Sequence, residues 1–277
     1  MKKTLIYIFF IIIRLIYFNT VIYPDSDTSY YLQLQTDILK AVNSFNREAL
    51  LAVEQDIISQ IAEKKYNEFL NYYYLAFAYY QMVFIASVTE KSPKSIMADI
   101  DQAVIYLEKS IQLKEDFAEG YILLSSLLGQ KAMGEMVSSH FGPKAGYYIK
   151  KAKKLEPDNP RCYLVEGVGN YYTPEAFGGG LEVARQSFVK AKELYSKYEL
   201  KDKRYPDWGH DDLLLWLGKI ESLSGNKEMT MHYYEEALSI NPESRFIQMR
   251  IDEEVKETKS NIFVKWWNNI FKKPSEK

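Results

Sequence analysis

Residues 211–244 read DDLLLWLGKIESLSGNKEMTMHYYEEALSINPES, two helix-length segments separated by a Gly-Asn-Lys turn sequence. The second segment places Thr230, Tyr234 and Ala237 on one helix face, because they are four and three residues apart. Pro242 follows five residues after the last of them and stops the helix, since proline cannot continue one. The stretch therefore predicts a helix, a tight turn and a second helix that packs against the first.

The same spacing of a small, a large and a small residue recurs upstream. The three earlier sets are Ala103, Leu107 and Ser110; Ala145, Ile149 and Ala152; and Ala184, Phe188 and Ala191. A partner segment precedes each set and also carries a small residue, such as Ala76, Ser125 or Gly167. Small residues at these positions let two helices approach to the short end of the usual range of about 8–10 Å.

Four such units in register resemble the tetratricopeptide repeat (TPR), a helix-turn-helix motif of about 34 residues. The resemblance implies an all-α, right-handed helical solenoid of about four helix pairs with flanking N- and C-terminal helices. The expected units are 69–117, 118–159, 160–210 and 211–244 for the array, 30–68 for an N-terminal helix or degenerate repeat, and 245–277 for a C-terminal capping helix and basic tail.

The upstream units are longer than the last one, and the extra residues fall within the turn of each pair. The interval between the two small positions is 12 residues from Gly218 to Thr230, but 27, 20 and 17 in the earlier units. Insertions clustered on one edge of a repeat array are typical of a working face. Residues 138–143 and 173–180 are the distinctive insertions, and the triple glycine of the second predicts a tight turn with positive φ. A phosphate loop, the alternative, needs a preceding strand and a following Lys-Ser/Thr.

A more specific resemblance begins at Tyr171 and ends at Ala191. A tyrosine-rich turn with Thr-Pro-x-x-Phe-Gly-Gly is followed by a helix with Ala-x-x-x-Phe-x-x-Ala. This arrangement resembles exported bacterial repeat proteins and the T-component of TRAP transporters. In that family a helical body forms a central apolar pore or pocket and works beside a periplasmic solute-binding protein. The resemblance implies a transport accessory that holds an apolar small ligand.

In a TPR solenoid the first helix of each pair lines the concave surface. The positions offset from the packing residues predict an aromatic and apolar groove, which would bind a protein, a peptide or an apolar ligand. The groove candidates are Tyr73, Phe77, Tyr80, Ile122, Ser126, Gln130, Leu164, Val168, Tyr171, Tyr172, Leu215 and Lys219. The alternative is that the chain's own N-terminal helix, Asp37 to Lys64, fills the concavity.

Composition argues against several other functions. The net charge is −2 and no clustered Lys/Arg stripe is present, so nucleic acid is not an expected partner. Cys162 is the single cysteine, which excludes an intramolecular disulfide and a cysteine-based zinc site. The residues His210, Asp211 and Asp212 could form a metal or acid–base cluster, but an aspartate at a helix start is typical of an N-cap. We therefore predict no enzyme, no metal and no cofactor.

The two ends of the chain predict export and suggest membrane contact. Lys2 and Lys3 precede the apolar stretch 4–18, so residues 1–24 are expected to be a signal peptide or an N-terminal membrane anchor. Both alternatives place the body outside the cytoplasm, in the periplasm or at the envelope. Residues 262–273 carry an aromatic stripe with lysines, which suits either a capping helix or an interfacial membrane helix.

Overall fold

The computed structural model describes residues 26–89, 92–134 and 138–257. Within these ranges the regular structure is helical and no strand occurs. The helices are α1 Ser26–Asn43, α2 Arg47–Ala62, α3 Glu68–Val88, α4 Pro93–Leu113, α5 Ala118–Gly134, α6 Ser138–Leu155, α7 Pro160–Tyr172, α8 Leu181–Tyr195, α9 His210–Leu223, α10 Lys227–Ile240 and α11, residues 245–257. Neighbouring helices pack in pairs, so the predicted all-α solenoid is confirmed.

Two predictions fall on parts of the chain that lie outside the described residues. They are the leader or anchor in residues 1–24, with its apolar stretch 4–18, and the aromatic stripe in residues 262–273. None of the helices in the described ranges combines the length and apolar character needed to cross a bilayer.

Small residues at the predicted positions bring the helices of a pair together. A Cβ atom added to Gly167 would lie 2.5 Å from a ring carbon of Phe188, and one added to Gly218 would lie 2.4 Å from a ring carbon of Tyr234. In the α5–α6 pair the Ser125 hydroxyl donates to a backbone carbonyl of α6 at 2.9 Å. These close approaches explain the recurring small-large-small spacing.

The N-terminal segment differs from the single helix predicted for residues 37–64. The structure divides it into α1 and α2, and Phe45 adopts a left-handed φ of 55° between them. The turn is closed by a backbone hydrogen bond from Asn46 to Ala41 at 2.8 Å, and the Asn46 side chain caps α2 by accepting from Ala49 N–H at 3.0 Å. A further helix pair therefore precedes the array.

Two of the expected turn insertions are helical instead. Helices α3 and α4 contain 21 residues each, so most of the extra length of the first unit extends the helices beyond the turn. Residues 138–143 form the start of α6, with Pro143 inside the helix, and not a loop. The third insertion, 173–180, keeps a non-helical turn with one 3₁₀ segment.

The two ends of the array meet. Asn43 at the end of α1 donates to the Asn241 side chain at 2.8 Å, and the Arg245 guanidinium donates to the Ser44 carbonyl at 3.2 Å. Phe84 of α3 and Phe246 of α11 pack edge to face with their ring centroids 5.1 Å apart. The array is therefore closed into a ring of helices, and the concave face turns toward its centre.

Candidate functional site

The connector between α8 and α9, residues 196–209, crosses the concave face. Its Trp208 ring lies 6.1 Å from the rings of both Phe77 and Tyr80, measured between centroids. Tyr205 packs against Phe117 at 5.2 Å. Trp208 contacts all three hydrophobic clusters of the core, so the connector fills part of the concavity. The sequence analysis offered the alternative that the N-terminal helix, Asp37 to Lys64, fills the concavity. That alternative is wrong, because the connector fills part of the concavity and the N-terminal helices flank the connector.

Side chains from four helices hold the connector by its backbone carbonyls. Each of the donors is fixed on a helix, and the acceptors are carbonyls of residues 203–206 and 208. The bonds run from Gln35 Nε2 to the Lys203 and Tyr205 carbonyls (3.1 Å each), from Tyr74 Oη to Arg204 (2.8 Å), from Arg161 Nη2 to Pro206 (2.5 Å) and from Tyr195 Oη to Trp208 (2.8 Å). Residues 202–205 of the connector form a turn, closed by the Tyr205 N–H donating to the Asp202 carbonyl at 3.0 Å.

Four of the twelve groove candidates are buried and do not line an open surface. The four are in the N-terminal halves of their helices: Tyr73, Phe77, Ile122 and Leu164. They belong to the clusters that Trp208 contacts, so they pack in the core of the ring. For these four residues the prediction of an accessible groove was wrong, because helical spacing does not reveal that a distant connector packs over the same face.

The other eight candidates remain accessible, and we call them the bowl. Seven are half-buried and Tyr172 is 49% exposed. The bowl consists of Tyr80, Ser126, Gln130, Val168, Tyr171, Tyr172, Leu215 and Lys219. Apart from Leu215, they lie in the C-terminal halves of the first helices, at the same end as the turn 173–180. The concave face thus has a filled half and an open half.

The rim of the bowl is an aromatic cluster around one lysine. Trp216 packs edge to face with Tyr171 at 5.3 Å and with Tyr172 at 6.1 Å. The Lys219 ammonium lies 4.8 Å from the ring centroids of both Tyr171 and Trp216, a cation–π arrangement. Burial, with the nearby positive charge of Arg250, lowers the pKa of Lys219. The groove predicted from the sequence did not include Trp216, although Trp216 follows the predicted groove residue Leu215 and could have been included on that ground.

No family model matches the sequence, and none of the curated proteins matches it either. The structure is similar to the HusA haemophore from Porphyromonas gingivalis, with 21% identity and a TM-score of 0.56 over 69% of this chain and 93% of that chain. It is also similar to TTC0263, a TPR protein in Thermus thermophilus, with 13% identity and a TM-score of 0.50 over 80% of this chain and 98% of that chain. The chain has a TPR-like fold.

The turn 173–180 of this TPR-like chain borders the bowl. Gly178 and Gly180 have φ of 82° and 102°, so the predicted tight turn with positive φ is confirmed. The Gly180 N–H donates to the Asn170 carbonyl at 2.9 Å and fixes the turn to the end of α7. Phe177 is 82% exposed, so this turn presents a large apolar side chain to solvent.

The wall of the bowl carries two titratable groups. Burial and the Asp212 carboxylate raise the pKa of Tyr80 to about 12. The surrounding protein and the adjacent Asp211 carboxylate raise the pKa of Asp212 above its ordinary value. The prediction that one of these aspartates caps α9 was wrong. The N-cap is Gly209, since the helix begins at His210. Its φ of 94° and the 2.7 Å that would separate an added Cβ from the Tyr195 hydroxyl explain why this position is a glycine.

A buried arginine holds the connector in the filled half of the concave face, and the repeat pattern of the sequence does not predict this role. Arg161 is fully buried, and its Nε lies 3.7 Å from Glu119 Oε2. The Asn159 amide donates to the other oxygen of Glu119 at 2.7 Å. The guanidinium carbon lies 5.8 Å from the Trp208 ring centroid. The charge that holds the connector is therefore balanced inside the core.

The other residues that could carry a chemical role, Cys162 and His210, have surroundings that favour a structural role. Cys162 is buried, and burial raises the pKa of its thiol, which disfavours the reactive thiolate. His210 stacks on Tyr195 with the ring centroids 4.7 Å apart. Among the described residues, no group of three His, Cys, Asp or Glu side chains is arranged to hold a metal ion.

Proposed function

We propose that this TPR-like protein is a non-enzymatic binding module whose bowl receives a protein or peptide partner outside the cytoplasm. The observation that carries the proposal is the division of the concave face. Its filled half is packed by the connector, whereas its open half presents aromatic side chains and Lys219 at the edge that also carries the turn 173–180.

The chemistry of the rim supports a binding role. Tyrosine and tryptophan supply large contact areas at low entropic cost, and they are enriched among the residues that dominate binding energy. Tyr171, Tyr172 and Trp216 pack against one another, so their positions are set before a partner arrives. Such preorganisation lowers the cost of association.

Site-specific photocrosslinking in cells tests this proposal. A photoreactive residue replaces Tyr172 in the full-length chain, and the matched control replaces Tyr147, which is 62% exposed on α6, the second helix of its pair. We expect a discrete crosslinked partner from position 172 and not from position 147. The adduct should disappear when Lys219→Glu is added. Equal crosslinking from both positions would refute the bowl as the binding surface.

A second candidate is a transport accessory that holds an apolar small ligand in the bowl. The aromatic lining favours it, and a similar fold occurs in the HusA haemophore. Native mass spectrometry and lipid extraction of the purified full-length protein separate the two candidates. A co-purifying apolar molecule that is lost with Tyr171→Ala supports the second, whereas a protein adduct without any such molecule supports the first.

Export is proposed from the leader sequence. A basic start followed by the apolar stretch 4–18 is typical of a secretory signal or an anchor. Cell fractionation with N-terminal analysis of the mature chain is the test. Recovery of the intact chain from the cytoplasmic fraction alone would contradict it.

A further inference from the structure

Lys219 is a half-buried cation in the open half of the concave face. Its ammonium faces the rings of Tyr171 and Trp216, and it forms no ion pair with any carboxylate in the part of the chain that the structure describes. We infer that the bowl recognises an acidic, apolar segment of a partner protein, in which an aspartate or glutamate flanked by apolar residues pairs with Lys219. The inference rests on the proposed binding function.

The carboxylates on the neighbouring helix turns are already engaged by other side chains. The pairs are Glu221 with Arg185, Glu253 with Arg250, and Glu254 with the Ser222 hydroxyl. Among the described residues, therefore, no acidic group neutralises Lys219. A cation that is partly removed from water without a counter-ion favours contact with an anion from outside the molecule.

The electrostatic surroundings of Lys219 also favour an anion. Arg250 of α11, which acts on Lys219, carries the same positive charge. Burial and this repulsion both disfavour the charged form of Lys219 and lower its pKa. A partner carboxylate would supply the opposite charge, whereas a neutral partner would only increase the cost of desolvating the ammonium. The bowl therefore favours an acidic partner over a neutral or a basic one.

The aromatic rings around Lys219 set a second requirement. Tyr171 and Tyr172 both pack edge to face with Trp216, and Tyr172 is 49% exposed. Apolar side chains of a partner would cover these rings and exclude water from the ion pair. A run of acidic residues alone would leave the rings uncovered. We therefore expect a carboxylate with aromatic or aliphatic neighbours.

The extent of the bowl suits a chain segment. It reaches from Tyr80 on α3, across α5 and α7, to Lys219 on α9. Three intervals between packed helices cover about 24–30 Å, which is the reach of about eight extended residues. A segment of this length can contact the rings and Lys219 together, whereas a compact small acid would cover one end of the bowl.

A random twelve-residue peptide library displayed on phage is the probe. The library is selected in parallel on the full-length native protein and on Lys219→Met, which keeps the apolar stem of the side chain and removes its charge. We expect the native pool to be enriched in Asp or Glu flanked by apolar residues, and the Lys219→Met pool to lack this enrichment. A native pool without the enrichment, or the same enrichment on both proteins, overturns the inference.

Fluorescence anisotropy with the most enriched native peptide measures the contribution of the charge. Binding should weaken about tenfold in Lys219→Met, because a charge-assisted contact is lost, and its dependence on salt should become shallower. Lys150→Met, at an exposed position of α6, is the matched control and should bind as the native protein does. Lys219→Gln is the second variant if Lys219→Met does not fold. Equal affinity and equal salt dependence in the native protein and the Lys219 variant would overturn the inference.

The outcome is separable from that of the proposed function. A partner that is crosslinked at position 172 and retained in Lys219→Met would leave the proposed function intact and reject the acidic segment. Equal crosslinking from positions 172 and 147 would reject the proposed function itself, and the inference with it. Laurate is the test for a small apolar acid. Laurate that binds the native protein and is not displaced by the selected peptides would overturn the assignment of a peptide segment.

Discussion

At the residue scale, a single methyl group tests the contact between α7 and α8. An alanine at position 167 would place its Cβ 2.5 Å from the buried ring of Phe188. Overpacking of about 1–3 kcal/mol outweighs the helix-propensity gain of up to about 1 kcal/mol. We therefore expect Gly167→Ala to destabilise the protein by roughly 1–2 kcal/mol in urea unfolding.

Gly169 is the matched control, two residues further along the same helix. Apart from its chain neighbours and the adjacent backbone of its own helix, no heavy atom of the described residues lies within 4 Å of a Cβ built there, so Gly169→Ala should stabilise the protein by roughly 0.5–1 kcal/mol through helix propensity alone. If both variants shifted the unfolding midpoint in the same direction, the close approach at position 167 would not set the helix spacing.

Also at the residue scale, His210 gives a pH prediction. Burial lowers its pKa from the ordinary value, so the folded state binds its proton less readily than the unfolded state. The stability that neutral His210 allows is present above about pH 6.5 and is lost as the pH falls below that value toward the lower folded pKa. His210→Phe keeps a ring on Tyr195 and should reduce the drop in melting temperature between about pH 8 and about pH 5.

The control for this pH effect is His232→Phe, because His232 is 61% exposed on α10. This change is expected to leave the acid-dependent drop as it is in the native protein. An unchanged drop in His210→Phe would mean that other groups produce the acid sensitivity.

What could be predicted from the sequence at this scale followed from packing geometry. Gly167 and Gly218 were recognised because close helix approach demands a small side chain at a fixed spacing. The role of Arg161 was not predicted, because it depends on contacts of the guanidinium with Glu119 and with the Pro206 carbonyl, which are distant in the chain. Periodicity reports on neighbours along a helix and carries no information about such long-range partners.

At the element scale, the turn 173–180 depends on one backbone approach. A Cβ on Gly179 would lie 2.2 Å from the Thr173 carbonyl oxygen, which is a backbone atom and cannot rotate away. Gly179→Ala should therefore destabilise the protein by about 1–3 kcal/mol in thermal or urea unfolding. Gly178→Asn is the control, because it has φ of 82°, open space around it and a residue type that tolerates the left-handed region. Comparable losses of stability in Gly179→Ala and Gly178→Asn would show that the stability of the turn depends on its backbone conformation and not on the close contact at Gly179.

The helix pairs were predictable from the sequence, but their lengths and the path of the connector were not. The extra residues continue the helices, because the last two turns of α3 are mostly apolar and buried, and because Ser92 caps α4 immediately before Pro93. Residues Tyr205 to Trp208 read as a link into the last repeat, and their aromatic and proline content did not indicate that they cross the ring. Their role becomes visible only when the carbonyl donors of four separate helices are brought together.

At the scale of the whole molecule, ring closure changes how stability is distributed. An open solenoid has nearest-neighbour contacts, so damage at one end leaves the far end unaffected. Here Asn43 and Asn241 are hydrogen bonded, and Phe84 of α3 contacts Phe246 of α11, so the first three helices and the C-terminal end of the array share an interface. The spacing of repeats along the chain does not predict this contact between the two ends, because the contact depends on the accumulated curvature of all helix pairs.

Amide hydrogen exchange tests this coupling. Phe246→Ala removes the ring contact with Phe84 of α3, beside the hydrogen bond from Arg245 to the Ser44 carbonyl, and should lower protection in α1, α2 and α3 as well as in α10, because the shared interface links their opening. Met249→Ala, at an exposed position of the same helix, should leave α1 and α2 unchanged. Small-angle scattering should show a larger radius of gyration for Phe246→Ala if the ring opens. Protection lost only in α10 and α11 would mean that the ends touch without stabilising each other, and that the molecule behaves as an ordinary linear array.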